Sequence, residues 1–207
     1  MQQYEQLLGK YLPANAVKPI IQFVLDNKIF FKIMPPRSSK LGDYCAPTPA
    51  MPIHRITVNG DLGKAEFLWV TLHEMAHYQT KKQYPRRVRP HGIEWQRNFA
   101  DNIRKYLQLD CFPQNSLPAI RQYIAKLPLS PSANDRVMLS FRQVGQQQPA
   151  NPVITPDNLQ PGDCFALQGR TFQIVEKKRT RYRCLCLENR QMYSISAIAT
   201  VQPLKKS

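Results

Sequence analysis

Acid is scarce in this sequence beside base. Fourteen Asp and Glu stand against 29 Lys and Arg in 207 residues, a formal net charge of +15. An excess of this size is the usual footprint of a protein that meets nucleic acid, because cations displace counterions from the phosphate backbone. The plainer reading is a basic surface that serves only solubility. No apolar run approaches the roughly 18 residues of a membrane-spanning helix, and Phe67-Leu68-Trp69-Val70 is far too short. No basic start followed by an apolar core opens the chain at Met1-Gln2-Gln3-Tyr4, so no secretory signal is expected. Five cysteines (Cys45, Cys111, Cys164, Cys184, Cys186) are an odd and scattered set. They exclude a disulfide scaffold and fit a reducing, intracellular setting. Histidine is scarcer still, at four residues, so where each one falls carries information. A hydrophobic content of 43% with 10% aromatics is enough for a buried core, and the length suits one or two domains.

Residues 1–27 show helical spacing, first in Tyr4, Leu7, Leu8 and Tyr11, then after Pro13 in Val17, Ile20, Ile21, Val24 and Leu25. Lys28–Met34, Leu41–Cys45 and Pro52–Val58 read as short strands, which together predict a small, mostly antiparallel sheet. From Lys64 to Tyr78 the pattern becomes helical and apolar on most sides, as in a buried helix. A basic loop follows, then a helix over Ile93–Leu109 with Trp95, Phe99, Ile103 and Tyr106 on its apolar stripe. Prolines and the Gln146-Gln147-Gln148 run mark residues 128–158 as a linker, after a short helix near 116–126. Five short β-like runs follow: Cys164–Leu167, Thr171–Val175, Arg181–Leu187, Met192–Ile195 and Ala197–Val201. They predict a small all-β, SH3-like module over 159–207.

His73-Glu74-Met75-Ala76-His77 is the sharpest motif, an HExxH inside the buried helix. Histidines four apart share a helix face and can reach one metal ion. Imidazole suits zinc, and a glutamate beside the first ligand can serve as general base on zinc-bound water. A third ligand is needed. His91, in Pro90-His91-Gly92-Ile93-Glu94-Trp95, opens the next helix and is favoured over His54, which sits within a strand. Glu94 is the nearest carboxylate rival.

HEMAH followed by HGIEW, after the strand-like HRITVNG, resembles the SprT-like metallopeptidases, which include the Spartan DNA–protein crosslink proteases. The resemblance spans about residues 15–108. It implies one zinc ion held by His73, His77 and His91, with Glu74 as the catalytic acid/base. It also implies a zincin-like α+β fold, with a small sheet packed on the HExxH helix and an edge strand available to extended substrate. The domain is then placed at residues 1–127. Some relatives carry a carboxy-terminal zinc ribbon with two CxxC pairs. This chain has only Cys184-Leu185-Cys186, read as two small buried hydrophobes, so no second zinc is expected.

Two basic clusters are candidates for nucleic-acid contact. Lys81, Lys82, Arg86, Arg87 and Arg89 lie between the second and third ligands; Lys177, Lys178, Arg179, Arg181 and Arg183 surround Tyr182 in the β-module. The expectation is a cytoplasmic zinc metallopeptidase, free of the membrane, with association to the nucleoid as a further address. It would hydrolyse peptide bonds of DNA-associated or DNA-crosslinked proteins. The alternative is a non-catalytic zinc-containing DNA-binding or scaffold protein, which would have no use for Glu74.

Overall fold

The computed structural model describes residues 2–37, 39–84, 88–125, 127–142, 154–178, 181–197, 199 and 201–204. The chain is mixed α+β and divides into two units, Met1–Ser130 and Pro131–Ser207.

In the first unit, α1 (Gln2–Leu8) and α2 (Ala14–Asp26) precede β1 (Phe30–Met34). Ala16, Val17, Ile20 and Ile21 form the buried stripe of α2, the spacing of one helix face. Strands β2 (Gly42–Cys45) and β3 (Arg55–Asn59) complete a three-stranded sheet in the order β1-β3-β2. The sheet is mixed, which corrects the antiparallel expectation. β2 pairs antiparallel with β3, whereas β1 runs parallel to β3, Phe30 opposite Arg55 through Met34 opposite Asn59. A parallel pair needs a crossover of about a dozen residues or more. Here the connection from β1 to β3 contains β2, which docks on the far side of the central strand. Ile56, Thr57, Val58 and Asn59 of β3 are accordingly all buried.

Strands β2 and β3 pack against α3 (Lys64–Gln83), the helix that carries the histidine pair. Its first turn is held by Glu66, whose carboxylate accepts the Gly63 N–H at 3.2 Å. Phe67, Leu68, Trp69, Val70, Leu72, Met75 and Ala76 are buried, so α3 is a core helix as its composition indicates. α4 (Ile93–Gln108) lies along it, and α5 (Leu117–Ile124) follows a short 3-10 turn at Gln114–Ser116.

The second unit begins with a helix where the sequence suggests linker. α6 (Pro131–Arg142) has its proline at the first helical position, where the missing N–H costs nothing. Ala133, Val137, Met138 and Phe141 bury one face of it. The proline that reads as a breaker is therefore a helix start. Residues 143–153, the rest of the expected linker apart from 154–158, lie outside the described residues.

Strands β4 (Cys164–Leu167), β5 (Arg170–Lys178), β6 (Arg181–Cys186) and β7 (Met192–Ser196) form an antiparallel meander, and β8 (Gln202–Pro203) pairs with β4 on the other edge. Gln168 and Gly169 both have positive φ, the signature of a two-residue hairpin turn between β4 and β5. The last strand falls at 202–203, beyond the Ala197–Val201 run. Ala197 and Val201 instead plug the core, and Pro203 is tolerated because β8 is an edge. Cys184 and Cys186 lie in that core with Phe165, Phe172, Ile174 and Tyr182, in keeping with their reading as small hydrophobes.

Candidate metal centre

His73 and His77 stand one turn apart on α3, and His91 comes in from the residue pair that precedes α4. Their Nε2 atoms form a near-equilateral triangle: 3.2 Å between His73 and His77, 3.0 Å between His77 and His91, and 3.1 Å between His91 and His73. A tetrahedral ion with nitrogen ligands at 2.0–2.1 Å separates those nitrogens by about 3.3 Å. The triangle is within a few tenths of an ångström of that spacing. Three ring nitrogens facing one another leave lone pairs in opposition, which a shared cation resolves. This group can hold a metal ion. Burial, with the neighbouring imidazoles second, pushes His73 down to about 3. Burial, then His91, takes His77 to about 4, and burial lowers His91 as well. The rings are neutral at pH 7, the form that ligates.

Several contacts fix the third ligand. His91 has φ +54°, a left-handed backbone that histidine adopts more readily than most residues, at a cost of roughly 1–2 kcal/mol. It is held there by Gln96, whose side chain donates to the His91 carbonyl at 2.9 Å. The Trp95 ring lies 4.5 Å from that of His91, 4.6 Å from His73 and 5.3 Å from His77, one indole against all three imidazoles. Further along, Asn102 locks α4 to α3. Its amide donates to the Leu72 carbonyl at 3.2 Å and exchanges hydrogen bonds of 2.8 and 3.1 Å with Gln79. Asn98 adds bonds of 3.0 Å to Thr80 and to Gln83. The register of the two helices, and so the reach of His91, rests on these amides.

Glu74 is buried at 6% exposure against β2. Burial, reinforced by the Asp43 carboxylate, pushes it up to about 8; Lys40, Arg37 and the backbone N–H of Tyr44 pull the other way. Asp43 is itself paired with Lys40 at 2.8 Å. Gly42 makes this approach possible: a Cβ there would stand 2.6 Å from both Glu74 Oε1 and Val70 Cγ1. A glycine inside a strand signals close approach of another group, and that signal in Gly42-Asp43-Tyr44 was available in the sequence. Asn102 left no comparable trace, being one polar residue on an amphipathic helix.

The rejected ligands have other places. His54 Nδ1 shares a 2.9 Å hydrogen bond with the Tyr44 hydroxyl, and its ring meets Tyr78 edge-on at 4.8 Å. Neither His54 nor Glu94 belongs to the metal-binding group. Tyr44, to which the sequence assigned no role, stacks parallel to His77 at 6.4 Å.

The basic clusters divide in an informative way. Lys82 donates to Asn27 Oδ1 at 3.1 Å and lies over the Tyr78 ring, so it serves the fold. Lys81 and Arg89 are exposed beside the histidines. In the β-module, Lys177 pairs with Asp157 at 2.7 Å, and Lys178 and Arg183 share Glu176 at 3.1 and 3.4 Å. Arg181 donates to Ser194 across β6 and β7. Such surface pairs are weak, about 0–1 kcal/mol each, and leave these cations accessible. Arg86, Arg87 and Arg179 lie outside the described residues.

Compared with known proteins, the chain matches no family model, and no curated protein or solved structure is significantly similar to it. What defines the class is thus the site itself: a mixed α+β protein with a three-histidine group able to hold a metal ion. Among the described residues, no helix is long and apolar enough to cross a membrane.

Proposed function

We infer that the protein is a zinc-dependent metallopeptidase of the SprT-like kind, acting on proteins associated with or crosslinked to DNA. The observation that carries this reading is the convergence of the three Nε2 atoms at 3.0–3.2 Å on the helix that also presents the buried Glu74. Three imidazoles suit zinc and leave a coordination position open, the arrangement of a catalytic rather than a structural site. When bound, zinc supplies Lewis-acid polarisation of the scissile carbonyl and a more acidic water. Glu74 takes a proton from the attacking water on its carboxylate and returns it to the nitrogen of the leaving amine. Burial raises its proton affinity above the ordinary carboxylate range, which favours holding the proton it then returns to the leaving amine. The Tyr44 backbone N–H and Gly42 keep that carboxylate in place. The zincin-like packing of sheet on helix and the SH3-like character of the β-module belong to the same proposal. A structural zinc site has no need of a buried base beside its ligands, which weighs against the scaffold alternative.

Two results test the parts separately. Gly42→Ala drives a methyl into the Glu74 carboxylate, so cleavage of a protein substrate should fall by about tenfold or more while zinc content stays at the wild-type level. Equal cleavage would remove Gly42 and the Glu74 position it sets from the mechanism. For the DNA arm, affinity for single- and double-stranded DNA should decline as salt rises, with a log–log slope of about 0.9 per phosphate neutralised on duplex. Cleavage of a protein substrate should rise when DNA is present. Salt-independent binding, or cleavage indifferent to DNA, discards the DNA-linked substrate and keeps the peptidase.

A further inference from the structure

Beside the histidine group lies a cavity of about 220 Å³. His77 and His91 form one side of it, Tyr44, Tyr84 and Trp95 give it aromatic walls, and Lys81 and Arg89 supply its charge. Among the described residues, none that lines it is acidic. Both cations are indexed to the ligands by the chain itself. Lys81 follows His77 by four residues on α3, so His73, His77 and Lys81 share one helix face. Arg89 lies two residues before His91, and its carbonyl accepts the Gly92 N–H at 2.8 Å in the turn that delivers the third imidazole. Among the described residues neither cation has an ion-pair or side-chain hydrogen-bond partner, in contrast to Lys82, bonded to Asn27, and to Lys177, Lys178 and Arg183, which are ion-paired.

We propose that this cavity binds an acidic side chain, Asp or Glu, of the polypeptide held at the histidine site, with Lys81 and Arg89 as its counter-ions. The volume equals that of about seven waters, room for one side chain. The half-buried Tyr44 and buried Trp95 on one side lower the local dielectric there, which strengthens attraction between a carboxylate and two cations. A guanidinium and an ammonium lining one cavity also suit a carboxylate, the first through its planar fork and the second as a point charge. An uncharged side chain would leave two cations unpaired against those walls, and a basic one would meet repulsion. The proposal deepens the peptidase reading, and it rests on that reading for the placement of the scissile bond. The binding itself does not depend on cleavage.

The test therefore reads binding. Blocked peptides that differ only by Glu, Gln or Lys at one position are titrated calorimetrically into the zinc-loaded full-length Glu74→Gln protein at low salt. The Glu peptide is expected to bind about tenfold more tightly than the Gln peptide, from two ion pairs at a partly enclosed site. The Lys peptide should bind weakest. Lys81→Gln combined with Arg89→Gln should bring the Glu and Gln peptides within twofold of each other, and Lys81→Glu with Arg89→Glu should turn the preference towards Lys. Equal affinity of Glu and Gln peptides for the parent overturns the proposal, as does the absence of binding by every peptide. A short oligonucleotide that competes for Lys81 and Arg89 where the Glu peptide does not would assign the cavity to phosphate and overturn it equally. If the Glu peptide binds selectively yet the wild-type protein cleaves nothing, the peptidase reading fails and the acidic-side-chain site stands.

Discussion

The Glu74→Gln protein should keep its zinc and lose its cleavage, with the rate on a protein substrate down by about a hundredfold to ten-thousandfold. The argument rests on what the substitution changes and what it leaves. Gln matches Glu in size, so the close approach to Gly42 is preserved. The side-chain carbonyl can still accept the Tyr44 N–H. The three imidazoles are untouched, and among the described residues they alone make up the group able to hold a metal ion. What disappears is the capacity to take and return a proton. The same change removes a buried titratable carboxyl, so the fold should not suffer. Cleavage assays read beside circular dichroism and metal content separate loss of a base from loss of structure. Cleavage at the wild-type rate would remove Glu74 from the chemistry.

His77→Ala should have the opposite profile, with zinc affinity falling about a hundredfold or more and activity falling with it. With His77 gone, His73 and His91, 3.1 Å apart, offer only two nitrogen donors, and the helix that carries Glu74 keeps one of them. His91→Asn makes the complementary case. Asparagine tolerates the left-handed backbone at φ +54°, so the loss of the imidazole is isolated from the strain that alanine would add there. His54→Ala should retain zinc, since that ring is committed to the Tyr44 hydroxyl. Zinc retained by His77→Ala and lost by His54→Ala would reassign the ligand set.

How much of this was legible beforehand depends on the range of the interaction. His73 and His77 are brought together by helical periodicity alone, and the apolar run from Phe67 to Leu72 reports burial of the same helix, so both were readable locally. His91 is different. Its place before a helix favours it and Trp95 is readable on the apolar stripe of that helix, but its arrival depends as well on a left-handed turn and on the Asn102–Gln79–Leu72 lock, neither of which has a periodic signature. The strands of the first sheet were located to within a few residues, yet their directions were not, because β1 pairs with β3 across the connection that contains β2. Pro131 misled for a simpler reason. Proline ends a helix from within and begins one at its first position, and only the buried face of Ala133, Val137, Met138 and Phe141 distinguishes the two. Charge was the least legible feature. A net +15 says nothing of which cations the fold engages, and the structure separates Lys82, tied to Asn27, from Lys81 beside the histidines.

One measurement is decisive: zinc per chain and cleavage of a protein substrate, read on the same preparations of wild type, Glu74→Gln and His77→Ala. Wild type should hold one zinc and cleave, Glu74→Gln should hold one zinc and not cleave, and His77→Ala should hold none and not cleave. A wild type that carries zinc in full and cuts no protein, with or without DNA, contradicts the peptidase. Zinc bound equally by wild type and His77→Ala contradicts the metal centre.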